Sequence, residues 1–227
     1  MKKILIFLVS LNLIHCKKET TEHATPQVKY EKKAPENQIS NEDIKYFEFK
    51  PDSISNVNLK GFNVISSFYY HGNKFVTGNY APLDGKIVKP DSETDYGKRL
   101  LVLNNKNEVI FKGRGSGDTF QYWPKFYRNK SNDKVIIVCQ MAFEYFFGGE
   151  AFLLENNKVR YIGNLDIESD DMEKSLTDII NIEEANNDII FSFKSDSLLL
   201  KPGSDDILIP NNNVRYIYNN SQLTMKR

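Results

Sequence analysis

Histidine, cysteine and paired acidic residues carry most protein chemistry near neutral pH, so their positions come first. Of three histidines, His15 and His23 lie in the first 23 positions, and only His71 lies beyond them, beside Gly72 in a stretch that reads as a turn. Paired-histidine and Cys/His metal sites are nearly excluded by this scarcity, and a Ser-His-Asp or Cys-His mechanism has His71 alone to draw on. The chain has no H-E-x-x-H, G-x-S-x-G, C-x-x-C or phosphate-binding P-loop pattern. There are two cysteines, Cys16 and Cys139, and Cys139 falls in an apolar run, where it reads as a small core hydrophobe. No catalytic residue, metal or cofactor is assigned on these grounds.

Three other groupings remain. Asp91, Glu93 and Asp95, and again Asp166, Glu168 and Asp170, place acids at i, i+2 and i+4, the alternation of oxygens that suits Ca²⁺. Neither run has the sixth-position glycine or distal glutamate of an EF-hand, so solvated loop acids are the expectation. Gly113-Arg114-Gly115-Ser116-Gly117-Asp118 could form an anion nest from backbone N–H groups and Arg114. It lacks the following helix of a phosphate-binding glycine loop and reads as a flexible connection. Phe120 to Tyr127 is the densest aromatic run and holds the only tryptophan. Alternation puts Phe120, Tyr122 and Phe126 on one side and Trp123 and Tyr127 on the other, unless Pro124 breaks the phase. One side belongs to the core, and the other is a candidate recognition surface for a sugar ring or a protein. The candidate ligand-binding residues are therefore Trp123, Tyr127, Tyr122 and Arg114, with Tyr69, Tyr70 and Tyr80 extending the surface if the loops converge.

The elements that position these groups are read as strands. Asp133 to Asn164 reads as three antiparallel strands, with turns at Gly148-Gly149 and Asn156-Asn157, residue pairs that tolerate positive φ. Those turns set Tyr145 opposite Phe152, Phe143 opposite Leu154, Leu154 opposite Val159 and Phe152 opposite Tyr161. One face then carries Val135, Ile137, Cys139, Met141, Phe143, Tyr145, Phe152, Leu154, Val159 and Tyr161. Around this meander a unit of four strands recurs three times. The copies begin near Phe62, Phe120 and Asp178, and a polar loop (Pro82 to Tyr96) interrupts the first. LENNKVRYIGN (Leu154 to Asn164) and IPNNNVRYIYN (Ile209 to Asn219) echo one another, and LNNKNEVIF (Leu103 to Phe111) does so more faintly. Ile44 to Phe49 and Leu223 to Lys226 flank the repeats and could pair as a further sheet. Asp170 to Leu176 is the one helix candidate, capped by Ser169. The fold class is all-β: an antiparallel meander of about 12–15 strands in three hairpin-pair repeats, propeller-like or alternatively a sandwich or barrel.

The first 42 residues have a different character. Lys2-Lys3 precedes an apolar run from Ile4 to Ile14, too short for a transmembrane helix. Leu13-Ile14-His15-Cys16 resembles the lipobox of bacterial lipoprotein precursors, departing from its usual pattern at His15. The resemblance covers only this leader. It implies that Cys16 is acylated and becomes the mature N-terminus. Lys17 to Glu22 (KKETTE) resembles the surface-export signals of lipoproteins in the Bacteroidota. Residues 1–16 are then a lipoprotein signal peptide, 17–42 a disordered tether and 43–227 a single all-β domain. The resemblance implies an outer-membrane, lipid-anchored protein that faces either the cell surface or the periplasm. Thirty Lys and Arg balance thirty Asp and Glu, which gives no basis for steering to nucleic acid. The expectation is a non-enzymatic binding module for a protein, peptide or glycan. The alternative is a carboxylate-dependent hydrolase of glycan or cell-wall material, which would need two acids about 5–10 Å apart across a cleft.

Overall fold

A computed structural model describes residues 44–81 and 95–227. The leader, Cys16 and the tether lie outside these residues, as do Asp91, Glu93 and most of the polar loop. In chain order the strands are β1 (Ile44–Lys45), β2 (Phe47–Phe49), β3 (Asp52–Ser53), β4 (Phe62–Tyr70), β5 (Asn73–Tyr80), β6 (Arg99–Leu103), β7 (Val109–Lys112), β8 (Gln121–Arg128), β9 (Val135–Ala142), β10 (Phe146–Glu155), β11 (Lys158–Leu165) and β12 (Ile167–Ser169). A four-residue helix follows, α1 (Leu176–Ile179). Then come β13 (Ile180–Ala185), β14 (Asp188–Phe193), β15 (Ser197–Leu200), β16 (Ile207–Pro210), β17 (Arg215–Asn219) and β18 (Gln222–Lys226).

The strands form antiparallel sheets that do not close into a barrel. The first sheet has the order β3-β4-β5-β6-β7, the central sheet β11-β10-β9-β8-β2, and the third β1-β13-β14-β17-β18; β12, β15 and β16 make a small fourth sheet. The central sheet is covered on both faces. Phe126, Ile137, Phe152 and Leu154 pack with Phe75, Leu100 and Val102 of the first sheet. Ile136, Val138, Leu153 and Ile162 pack with Ile182, Phe191, Leu198 and Tyr216 of the third and fourth. This explains why every residue of β9 (VIIVCQMA) is buried: with no solvent face, alternation gives way to a continuous apolar run.

Several expectations need correction. The Asn156-Asn157 turn forms as expected, with φ of 51° and 57° and Leu154 opposite Val159. The Gly148-Gly149 turn does not. The chain reverses at Phe143–Tyr145, and both glycines lie inside β10 beside an irregularity in the ladder. A Cβ on Gly148 (φ 89°) would sit 2.4 Å from the Leu165 carbonyl oxygen, so this glycine serves close backbone approach rather than reversal. Phe152 therefore pairs with Ile137 instead of Tyr145. That slip is eight residues, an even number, so the inward face survives while Phe143 and Tyr145 leave the core and are exposed.

The flanking strands do not pair with each other. β1 and β18 are opposite edges of the third sheet. The segment Ile44 to Ser53 instead adds an edge strand to each large sheet in turn, β1 to the third, β2 to the central and β3 to the first. The Val-Arg-Tyr-Ile echo is also unequal. The first copy lies in the β10–β11 hairpin, whereas β16 pairs with β15 and β17 with β14, so the second copy leads from one sheet to another. The third repeat is therefore interrupted by the β15–β16 hairpin. The helix forms downstream of its expected site, at Leu176, where Asp178 Oδ2 accepts the Ser175 backbone N–H at 3.0 Å and its hydroxyl at 2.7 Å. The Ser169 hydroxyl accepts the Asp171 N–H, which makes a turn where a helix start was expected.

Candidate functional site

The register of β8, β9 and β10 brings a set of apolar side chains to one end of the central sheet. Gln121 pairs with Ala142 as β8 begins and β9 ends, and the Phe143–Tyr145 turn closes β9 onto β10 at the same end. Phe120 (64 % exposed), Phe143 (55 %), Tyr145 (49 %) and Trp123 (46 %) stand out there. Met172, 80 % exposed, joins them from the turn before α1, where it shares a cavity with Tyr145. Lys98 lies over the Phe120 ring at 5.6 Å from its centroid.

The cavity at this end has a volume of about 270 Å³ and is lined by Tyr145, Phe146, Met172, Leu199, Glu168, Ser169, Asp170, Lys174 and Asp206. Glu168, on β12, is 2 % exposed. Its Oε1 accepts the Gln140 side-chain amide at 2.5 Å and the Gly148 N–H at 2.7 Å. Its Oε2 has no hydrogen-bond partner, while the backbone N–H of Leu176 helps to lower the carboxyl. Burial pushes the Glu168 carboxyl up to about 7, against the pull of those donors. Gln140 is held in turn by the Thr177 N–H, which donates to its Oε1 at 3.2 Å.

A second buried acid lies on the opposite face. Glu150, 5 % exposed, accepts a short hydrogen bond from the Tyr122 hydroxyl and sits opposite Cys139 in the ladder. Burial raises its carboxyl to about 7, while the Tyr122 hydrogen bond and the charges of Arg99 and Arg114 lower it. Burial also pushes the Cys139 thiol up, away from the reactive thiolate. Arg99, fully buried, pairs with Asp95 at 3.1 Å and lies over the Tyr80 ring. The central sheet separates Glu150 from Glu168, because Cys139 faces the first sheet while Gln140 faces the fourth. Glu150 and Glu168, both with raised carboxyls, therefore do not flank a common cleft.

The candidate binding residues divide. Trp123 and Arg114 are at the surface. Tyr122 and Tyr127 are core residues on opposite faces, 1 % and 5 % exposed, so neither can meet a ligand. Pro124 stays in the β8 ladder opposite Cys139, so the alternation runs through it unbroken. Asp95 serves Arg99 and the Gly115 N–H. Glu168 is engaged by Gln140 and Gly148 rather than free in a loop. His71 (φ 47°) and Gly72 (φ 79°) form the β4–β5 turn, and the His71 ring stacks on Tyr70 at 4.0 Å. Phe143 and Tyr145 were expected in the core. The signal for their exposure is length: the apolar run from Val135 to Phe147 exceeds the eight residues that β9 spans.

Comparison of the chain with protein-family models, with curated proteins and with solved structures finds no match, so this end of the molecule is interpreted from its own chemistry.

Proposed function

We propose that the protein is a lipid-anchored extracytoplasmic binding module, held through Cys16, that meets a protein, peptide or glycan with the aromatic end of its central sheet. The observation that carries this reading is the clustering of Phe120, Trp123, Phe143, Tyr145 and Met172 at one end. Aromatic side chains offer large contact area at low entropic cost and are favoured anchors in recognition. Position supports the reading too. Ile44, the first described residue, pairs with Glu184, which is bonded to Lys134 one residue before β9 begins, at the other end of the sheet. That point and the aromatic end lie about 25 Å apart along the eight-residue β9, so the edge strand that Ile44 makes leaves the aromatic end uncovered.

A photoreactive side chain at position 123, compared with one at position 134 in intact cells, tests this reading. A discrete adduct from position 123 alone is expected. Equal adducts from both positions, or none from 123, would overturn it. The anchor has its own test: Cys16→Ala abolishes labelling by a fatty-acid probe, and persistent labelling removes the lipid from the proposal.

A further inference from the structure

We infer that the cavity beside Glu168 takes the ammonium group of a ligand with an apolar stem, the chemistry that a free alkylamine and a lysine side chain share. The inference rests on the reading of this end as the recognition surface and names the chemistry that it selects. Glu168 is almost wholly buried, yet Oε2 lacks a hydrogen-bond donor. A buried acceptor without a donor is costly, and an N–H group entering the cavity would supply one. The charge of the lining favours a cation. Glu168, Asp170 and Asp206 are acidic, and the one lysine, Lys174, is paired with Asp171 at 2.9 Å.

The remaining walls are Tyr145, Phe146, Met172 and Leu199, which suit an aliphatic stem, and the two rings add attraction for a cation over their faces. A metal ion fits less well. No group of three or more His, Cys, Asp or Glu side chains is placed to hold one among the described residues, and one Glu168 oxygen is already taken by two donors. A quaternary ammonium would leave Oε2 without a donor, so the cavity prefers a primary amine.

Ligand-observed NMR titration of the detergent-solubilised full chain at pH 8, where Glu168 is ionised, tests this. Saturable binding of n-butylammonium is expected, with 1-butanol and tetramethylammonium each weaker by about tenfold or more. Glu168→Gln is expected to lose a similar factor while still unfolding in one cooperative transition. Should that variant misfold, Met172→Lys, at a site 80 % exposed, places a competing cation at the cavity and is expected to weaken n-butylammonium in the same way. Equal binding of butanol, or full n-butylammonium binding by either folded variant, overturns the inference. So does the absence of saturable binding. An acetylated Gly-Lys-Gly amide binding about tenfold tighter than n-butylammonium assigns the site to a lysine of a partner chain; equal affinity assigns it to a free amine. Cross-linking from position 123 in intact cells and n-butylammonium binding by the purified chain are read separately, so the failure of either one is told apart from the failure of the other.

Discussion

The two ends of the central sheet are built from the same three strands and differ in how their polar groups are settled. At the end where Ile44 joins the fold, Glu184 is 6 % exposed and fully engaged. It pairs with Lys134, accepts the Tyr46 hydroxyl at 2.8 Å and takes the Asn132 amide at 3.4 Å. Burial raises its carboxyl, but the Lys134 and Tyr46 hydrogen bonds outweigh that and hold it below its ordinary value. The loop there is closed on itself, with Asn129 Oδ1 accepting the N–H groups of Ser131 and Asn132. At the other end Glu168 is as deeply buried but lacks a cation and one hydrogen bond, and Phe120, Trp123, Phe143 and Tyr145 are exposed at that end. Satisfied charge makes the first end an anchorage for the edge strands. Unsatisfied charge and exposed apolar area make the second a surface suited to a partner.

Substitutions can break or sharpen this contrast. The largest effect belongs between the ends: Phe152→Ala, at a side chain with no exposure, should cost about 3–5 kcal/mol in urea unfolding, and Phe143→Ala at the aromatic end under about 1 kcal/mol. Equal costs would dissolve the distinction between core and end. Next comes pH. Glu150 and Glu168 have folded values of about 7 against an ordinary 4.5, so the folded state binds protons that the unfolded chain releases. Their contribution is complete below about 4.5 and is lost as pH rises through 7, on the order of 3 kcal/mol for each. Glu184 acts oppositely: its folded value is lowered, so its contribution is present above its unfolded value and is lost as the solution becomes acidic. Urea unfolding as a function of pH should flatten near neutrality in Glu150→Gln and Glu168→Gln, but not in Lys134→Ala. An unchanged neutral slope in both glutamine variants would contradict the assignment.

Lys134→Ala strips the buried Glu184 of its cation and should cost about 1–3 kcal/mol. It should also speed amide exchange at Tyr46, whose N–H donates to the Ile182 carbonyl. Exchange unchanged there would show that this end does not hold β1. The smallest effect is expected from Trp123→Ala: a change within about 0.5 kcal/mol in urea unfolding.

Much of the strand pattern was legible locally. Asn156-Asn157 and Asn186-Asn187 both form hairpin turns with positive φ, because two-residue reversals demand that conformation and asparagine tolerates it. The same rule misled at Gly148-Gly149, since positive φ also serves a close backbone approach, and only the neighbouring Leu165 carbonyl distinguishes the two uses. The paired Val-Arg-Tyr-Ile segments reached different destinies for a similar reason. In β11 the tyrosine, Tyr161, is 44 % exposed, while in β17 its counterpart Tyr216 is 8 % exposed, in the core between the third sheet and the central one. Of the candidate binding residues, Trp123 and Arg114 are exposed, and the burial of Tyr122 and Tyr127 could not be read from residue type. Alternation says which residues share a face, not that both faces of a strand are covered.

The sequence by itself determined the strands, most of the turns and the inward parity of the central meander. These are properties of neighbouring residues: propensity, alternation and the few residue types that accept positive φ. It also carried the lipobox-like pattern ending at Cys16, on which the proposal of an anchor rests. Tertiary structure alone decided that Ile44 to Ser53 adds an edge strand to each of three sheets. It also decided that the β15–β16 hairpin is inserted within the third repeat, and that Glu168 lies in a cavity with an unpaired oxygen. Pairing partners and desolvation are set by residues distant in sequence, and no local pattern encodes which sheet will cover which face.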